Sequence, residues 1–270
     1  MIRAAVLGSP ISHSRSPILH NAAYAKLGIE GEYSALEIDE ASISQFLRTA
    51  HQEEWTGFSL TMPLKDISTD EKIWSDAGLT VSVDTEAAQI SSINTLLKTE
   101  RGYRALSTDL LAFQRLLKPL IASDSCVTLL GGGGTARAAI GALQSLGLSS
   151  LTLYLRGAEN SRHATKLKQC FPTISFSFHE YGSPLIGGEL LINTTPRGSA
   201  DIYSEANLYG SLFESLYNPW PTELAQRYLQ VNQPVLSGHD LLVEQALDQI
   251  ALMTGRVFDY EAMREYLLTL

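Results

Sequence analysis

CVTLLGGGGTARA (residues 126–138) carries the strongest fold signal in this chain. Its first five residues, apolar except for Thr128, are typical of a short buried strand, and an alanine-rich helix is predicted over 135–146. Gly131, Gly133 and Ala136 match the dinucleotide fingerprint G-x-G-x-x-A. The first glycine permits a tight turn, the second lets the backbone approach a pyrophosphate, and the third small residue lets helix and strand pack closely. The alternative is a plain strand-to-helix turn, because alanine- and glycine-rich turns are common.

Further strand and helix signals follow the glycine loop. A helix is predicted over 161–170, and strands are predicted over 151–155, 174–178, 190–193, 212–216 and 234–236. Repeated strand–helix units of this kind indicate a doubly wound nucleotide-binding domain, in which the sheet is mostly parallel.

The first part of the chain shows a second set of α/β signals. Strands are predicted over 4–7, 33–38 and 57–61, and helices over 17–27 and 42–51. Ser16 and Pro17 resemble a helix start, with a capping hydroxyl followed by proline at the first helical position. The patterns predict no element between residues 62 and 125.

Two amphipathic helices are predicted at 239–254, closed by Gly255, and at 260–268. We infer that they return to pack on the first α/β domain. The expected fold is therefore a two-domain α/β protein, with a discontinuous N-terminal α/β substrate domain (1–109 and 239–270) and a Rossmann-type doubly wound domain (110–238). Ligands are expected in a cleft, at the carboxyl ends of the strands.

Composition excludes several classes of function. The 270 residues are 44% hydrophobic and 18% charged, which predicts a packed core, and the formal charge of −9 argues against a nucleic-acid partner. No apolar run approaches the ~18–20 residues that cross a bilayer, and the first residues resemble a buried strand, not a signal peptide. Cys126 and Cys170 lack metal-ligand spacing, so no metal site is predicted. The expected location is the cytoplasm.

The residue after the second strand of the doubly wound domain bears on cofactor choice. NAD-binding folds usually place an acid there for the ribose 2′-hydroxyl, whereas this strand is followed by Arg156 and Gly157. A guanidinium suits the 2′-phosphate of NADP. A solvated arginine is the alternative interpretation, and Glu159 nearby keeps NAD open.

Polar motifs recur at predicted strand and helix ends, and together they resemble one family. The motifs HSRSP, LTMPLK, SINT, STD, GGGGTARA and SGHDLLVEQA occur in the order and approximate spacing of shikimate dehydrogenases, and NTTPRG and LYNPWPTEL are similar to later loops of that family. Each motif is unremarkable alone, since a serine before a helix is usually a cap and a loop lysine is usually solvated. The resemblance covers essentially the whole chain, from Val6 to Val257.

The resemblance implies NADPH-dependent reduction of 3-dehydroshikimate to shikimate, with Lys65 and Asp109 as the catalytic pair. The implied substrate-binding residues are Ser14 and Ser16 for the carboxylate, Thr61, Asn94 and Gln245 for the ring hydroxyls, and Tyr217. The implied cofactor-binding residues are Gly131, Gly133, Gly134, Thr135, Arg156, Thr194 and Gly238. The implied partners are shikimate or 3-dehydroshikimate, with no nucleic acid or membrane, in a monomer or homodimer.

The chain departs from the family pattern at some of these motifs. Ser107 replaces an asparagine before Asp109, and the usual Asn-Arg-Thr around Arg156 is Leu-Arg-Gly, which removes two polar groups beside the 2′-phosphate. A quinate/shikimate dehydrogenase that uses NAD therefore stays open. A non-catalytic metabolite or redox sensor is a second alternative, which would be expected to have lost Lys65 or Asp109.

Overall fold

The computed structural model describes residues 1–206, 208 and 210–270, without the side chain of Ile67. The strands of the described chain are β1 (Ile2–Gly8), β2 (Gly31–Glu37), β3 (Gly57–Leu60), β4 (Thr80–Val83), β5 (Thr95–Thr99), β6 (Gly102–Leu106), β7 (Val127–Leu130), β8 (Ser150–Leu155), β9 (Ser175–Glu180), β10 (Leu190–Asn193), β11 (Ser211–Glu214) and β12 (Val235–Leu236). The α-helices are α1 (Ser16–Lys26), α2 (Ile43–His51), α3 (Leu64–Ile67), α4 (Glu71–Ala77), α5 (Thr85–Ile90), α6 (Thr108–Leu117), α7 (Gly134–Ser145), α8 (Arg162–Cys170), α9 (Glu223–Gln230), α10 (Gly238–Thr254) and α11 (Tyr260–Leu268). Short 3-10 helices lie at Ala158–Asn160 and Ser199–Tyr203.

The chain forms two compact units, which we call unit 1 (Met1–Asp109 with Leu242–Leu270) and unit 2 (Leu110–Leu241). Unit 1 contains a six-stranded sheet in the order β2-β1-β3-β5-β6-β4. Only β5 runs against its neighbours β3 and β6, so β1, β3 and β6 end at the same edge of the sheet at which β5 begins. The loops that follow β1, β3 and β6 therefore lie at that edge, together with Asn94, the residue before β5.

Alternation along β1 shows how unit 1 covers both faces of its sheet. Ala5 and Leu7 belong to a core cluster with side chains of α2 and α4, whereas Ala4 and Val6 belong to a cluster with α1, α10 and α11. Successive strand residues point to opposite faces, so a run of four apolar residues requires a helical layer on each side. The two C-terminal helices supply much of the second layer.

Unit 2 contains a fully parallel sheet in the order β12-β11-β10-β7-β8-β9. Counted within the unit, this is the strand order 3-2-1-4-5-6 of dinucleotide-binding folds, and its switch point lies between β7 and β10. The prediction of a doubly wound domain is confirmed. Ala136, Ala138 and Ala139 of α7 are fully buried, so the alanine-rich sequence lets this helix approach the sheet closely.

The structure corrects the predicted start of α1. Arg15 occupies the N-cap position, Ser16 is the first helical residue, and no side chain caps the helix at Arg15. Instead Ser14 Oγ accepts the Ser16 N–H at 3.4 Å. The physical reason is that the turn before the helix places Ser14 beside the first helical N–H. Ser16 already lies inside the helix, so its hydroxyl is not in the position of a cap.

Helix α10 is apolar on much of its surface but carries buried polar side chains. Gln249 is 0% exposed and Gln245 is 7% exposed, among buried neighbours such as Val243 and Ile250. Such groups need hydrogen-bond partners inside the protein, which identifies this helix as part of a polar site. None of the helices in the described residues has the length and hydropathy of a membrane span.

Candidate active site

An ion pair lies at the polar edge of the unit 1 sheet. Lys65 Nζ donates to Asp109 Oδ2 at 2.6 Å, with side-chain exposures of 19% and 3%. Lys65 lies in α3, which follows β3, and Asp109 is the second residue of α6, which follows β6. Because β3 and β6 end at the same edge, two residues 44 positions apart in sequence meet there. A partly exposed ammonium held by a buried carboxylate is suited to stabilising charge and transferring a proton.

The loops after β1 and β3 are joined by backbone contacts at this edge. Ser9 N donates to Met62 O at 3.0 Å, and Thr61 N donates to Leu7 O at 2.9 Å. Gly8 is required by this approach, because a Cβ atom there would lie 2.4 Å from Thr61 Cγ2 and 2.8 Å from Met62 O. The contact fixes the segment that carries Thr61 beside the loop that leads to Ser14.

Ser14 and Ser16 lie at the N-terminus of α1, within the same unit. Ser16 is 5% exposed, and Ser14 is half-buried. The first N–H groups of a helix lack intrahelical acceptors and the helix dipole is positive at this end, so a carboxylate is favoured here. These two hydroxyls and the helix end are suited to binding one anionic group.

Asn94 and Gln245 meet inside unit 1. Asn94 Nδ2 donates to Gln245 Oε1 at 3.3 Å and to Thr108 Oγ1 at 2.9 Å. Asn94 Oδ1 accepts from Thr108 N at 2.8 Å and from Thr95 Oγ1 at 2.9 Å. The Asn94 amide is therefore oriented, with its oxygen bound to Thr108 and Thr95 and one N–H directed at Gln245. A ligand hydroxyl can take the place of Gln245 Oε1 as the acceptor of that N–H.

Unit 2 contains the glycine loop at its switch point. Gly131 has φ +104°, and a Cβ atom there would lie 2.6 Å from Thr194 Oγ1. Thr194 N and Oγ1 both donate to Leu130 O, at 3.0 and 2.8 Å, which joins the loops after β7 and β10. Gly131 is thus required by the turn itself.

Gly133 has a different explanation. Its φ of −79° is available to any residue, and a Cβ atom built on it meets nothing within 4 Å. The protein's own packing therefore does not require glycine at the N-cap of α7, whereas close approach of a phosphate does. Gly134 and Thr135, the first residues of α7, follow directly. The loop fits a dinucleotide.

Arg156 is exposed directly after β8, the second strand of unit 2. The adjacent Gly157 N–H donates to Glu180 Oε1 at 3.0 Å, and Glu159 pairs with Lys168 at 2.6 Å. Glu159, the acid that keeps NAD open, thus forms a surface ion pair with Lys168, and Arg156 is exposed at the end of the strand.

A buried carboxylate that the sequence motifs did not single out organises the loops after β10 and β11. Glu214 is 0% exposed and accepts from Asn193 Nδ2 at 3.0 and 2.9 Å, from Thr222 Oγ1 at 3.0 Å and from Leu216 N at 3.1 Å. Burial raises the pKa of Glu214, and these donors offset part of that rise. An acid at the end of a buried strand was the available signal.

Tyr217 and Gly238 depend on the same loop. Tyr217 is half-buried just beyond the Leu216 N–H that Glu214 holds. A Cβ atom at Gly238 would lie 2.2 Å from Ser215 O, so close backbone packing explains this glycine. Both residues belong to unit 2, whereas Ser14, Ser16, Thr61, Lys65, Asn94, Asp109 and Gln245 belong to unit 1. In the described residues no group of three His, Cys, Asp or Glu side chains is placed to hold a metal ion.

Comparisons with known sequences give one family. Residues 6–96 match the model of the shikimate dehydrogenase substrate binding domain. A shikimate dehydrogenase (NADP(+)) from Prochlorococcus marinus is 30% identical over 272 residues, covering 93% of this chain and 91% of the relative. Its counterpart in Shouchella clausii is 28% identical over 265 residues, covering 93% and 92%.

Solved structures agree with the sequence comparisons. Shikimate dehydrogenase of Mycobacterium tuberculosis is 32% identical with a TM-score of 0.81, and the match covers 100% of both chains. Shikimate 5-dehydrogenase of Thermus thermophilus, in complex with NADP(H) and shikimate, is 28% identical with a TM-score of 0.80, covering 100% of this chain and 99% of the other.

Proposed function

This chain belongs to the shikimate dehydrogenase family, and on that basis we propose that it reduces 3-dehydroshikimate to shikimate reversibly with NADPH. The single observation that supports the site assignment is the Lys65–Asp109 ion pair, 2.6 Å long, at the polar edge of the unit 1 sheet. The reaction is an oxidoreduction of a secondary alcohol and its ketone. It belongs to aromatic amino acid biosynthesis by way of chorismate.

The cofactor supplies a hydride to the substrate carbonyl, and the protein manages the charge that results. We assign Lys65 to stabilising the developing alkoxide and giving it a proton, and in the reverse direction to accepting that proton. Asp109 accepts the hydrogen bond of Lys65 Nζ and so orients the ammonium. The short contact between the two side chains supports this division of labour.

The remaining assignments follow the chemistry of each position. Ser14 and Ser16 bind the carboxylate at the N-terminus of α1, and Thr61, Asn94 and Gln245 bind the ring hydroxyls. The loop of Gly131, Gly133, Gly134 and Thr135 holds the pyrophosphate. Tyr217 contributes to the substrate and nicotinamide site, and Thr194 and Gly238 line the cofactor site. We place the enzyme in the cytoplasm as a monomer or homodimer.

The alternatives are less favoured. The relatives are named for NADP, which supports the assignment of Arg156 to the 2′-phosphate over an NAD-dependent quinate enzyme. A sensor without catalysis does not require a lysine and an aspartate in direct contact at the predicted position.

The test is steady-state oxidation of shikimate and of quinate, each with NADP and with NAD, followed by absorbance of the reduced nicotinamide. We expect fast turnover only with shikimate and NADP. In the Arg156→Gln variant, loss of a charge-assisted contact is expected to raise KM for NADP about 10- to 100-fold while KM for NAD stays unchanged. Equal rates with quinate or NAD would contradict the assignment, and an unchanged NADP constant in the variant would remove Arg156 from the phosphate site.

A further inference from the structure

A buried chain of hydrogen bonds crosses unit 1 and ends on Asn94. Tyr33 O–H donates to Ser59 Oγ at 2.5 Å, and Ser59 O–H donates to Gln249 Oε1 at 2.8 Å. Gln249 Nε2 donates to Thr95 Oγ1 at 2.9 Å, and Thr95 O–H donates to Asn94 Oδ1 at 2.9 Å. All five residues of this hydrogen-bond network are buried, namely Tyr33, Ser59, Gln249, Thr95 and Asn94.

The direction of this chain is determined by its central amide. The oxygen of Gln249 accepts from Ser59, so its Nε2 group must donate onwards, and Thr95 Oγ1 receives that N–H. A hydroxyl that accepts on one side uses its own proton on the other, which here meets Asn94 Oδ1. The oxygen of Asn94 therefore accepts from Thr95, and its Nδ2 donates to Thr108 Oγ1 and Gln245 Oε1.

Gln249 also lies four residues after Gln245 in α10, so the two amides share one face of the helix. Its Nε2 lies 3.4 Å from Asn94 O, which ties the helix to the residue that opens β5. One buried side chain thus contacts the residue before β5 directly and, through Thr95, supports the orientation of Asn94 that the Thr108 N–H also holds.

We infer that Gln249 is a positioning residue for substrate selection, which sets Asn94 as a hydrogen-bond donor to a ring hydroxyl of the substrate. The inference rests on the proposed function, because it concerns how that same site distinguishes its ligand. Without Gln249 the Thr95 hydroxyl no longer has to donate to Asn94 Oδ1. That oxygen then keeps only the donors of Thr108, and the Asn94 amide is held less firmly in the orientation that presents its N–H to a ligand. Gln249 itself does not touch the substrate.

The experiment compares Gln249→Met, which keeps the side-chain volume, with Thr95→Val, which removes only the hydroxyl, and with Thr95→Ser, which retains it. Ile250→Val is the control for lost stability, because Ile250 is a fully buried apolar neighbour in the same helix. For each variant we would measure kcat, KM for shikimate, KM for analogues that each lack one ring hydroxyl, and NADPH affinity.

We expect Gln249→Met and Thr95→Val each to raise KM for shikimate about tenfold, with kcat within about threefold and NADPH affinity unchanged. The double variant is expected to show no more than either single variant, since both break one chain. The analogue that lacks the hydroxyl bound by Asn94 should have the same KM in Gln249→Met and Thr95→Val as in the wild type. Thr95→Ser and Ile250→Val should keep the wild-type KM for shikimate. An unchanged KM in both Gln249→Met and Thr95→Val, or an equal rise for every analogue, would overturn the positioning role alone. Wild-type protein that neither binds nor oxidises shikimate would overturn the proposed function as well.

Discussion

At the scale of single residues, the proposed chemistry depends on one ammonium. Lys65 is partly exposed and its partner Asp109 is almost fully buried, so removal of the lysine leaves a buried carboxylate without its ion-pair partner. Lys65→Met keeps the length of the side chain and removes its charge and proton. We expect kcat to fall by about 10²- to 10⁴-fold, the usual contribution of a positioned acid–base group.

Lys72→Met is the matched control, because Lys72 is exposed in α4 and takes no part in the site. NADPH binding by fluorescence titration should be unchanged in both variants, since the glycine loop belongs to unit 2. Wild-type turnover in Lys65→Met would refute the assigned role.

Residue identity was predictable from sequence wherever a motif placed a reactive group at the end of a strand. Lys65 and Asp109 are of that kind, and the structure brings their side chains into contact. Gln249 and Glu214 are not, because their importance depends on which buried donors surround them. The sequence shows such partners only indirectly, by a polar residue within an apolar helix face at Gln249 and by an acid at the end of an apolar strand at Glu214.

At the scale of elements, segments with a continuous apolar run or a clear helical period were predictable, whereas short strands without such a run were not. Strand β10 and helix α11 have the predicted bounds. The patterns predict nothing over 62–125, where the structure has β4, β5 and β6 with α3, α4, α5 and α6. These strands are only four or five residues long, and β4 alternates between exposed and half-buried positions, so pairing across the sheet stabilises it more than its own composition does.

The glycine loop gives a prediction at this scale, because Gly131 and Gly133 are glycine for different physical reasons. Gly133→Ala is expected to keep wild-type thermal stability, since the added Cβ meets nothing within 4 Å, but to weaken NADPH binding about tenfold or more. Gly131→Ala is the comparison, with φ +104° and a contact of 2.6 Å to Thr194 Oγ1. It is expected to lose about 1–3 kcal/mol of unfolding free energy.

Differential scanning calorimetry and NADPH titration of the two variants separate the roles. Unchanged NADPH affinity in Gly133→Ala would show that the loop does not hold the cofactor in the proposed manner. Strong destabilisation of this variant would show that the protein's own packing requires the glycine.

At the scale of the whole molecule, a buried histidine makes stability depend on pH. His20 is 0% exposed and stacks on Tyr33 with ring centroids 3.8 Å apart. Burial lowers the pKa of His20 from 6.5 to about 3, and the amide of Gln249 offsets only part of that shift. Between those two values the unfolded chain binds a proton that the folded chain does not, so stability is lost as the pH falls.

His20→Phe keeps the stacking on Tyr33 and removes the proton. Between pH 7 and pH 5 we expect wild-type protein to lose about 2 kcal/mol more unfolding free energy than this variant, measured by urea titration. His13→Phe, at an exposed position, is the matched control. Parallel losses in wild type and His20→Phe would show that His20 does not govern the acid response.

The discontinuity of unit 1 has a consequence for folding during translation. Leu19, Ala23, Val6 and Ala4 pack against side chains of α10 and α11, which are translated only after all of unit 2. At about 5–20 residues per second, the apolar face formed by β1 and α1 waits on the order of 10 s or more for its cover. Unit 2 is complete as soon as residue 241 is translated, whereas unit 1 exposes this apolar surface until the residues that follow have been translated as well. The helix that carries Gln245 is therefore translated late, and with α11 after it completes the cover of this apolar face.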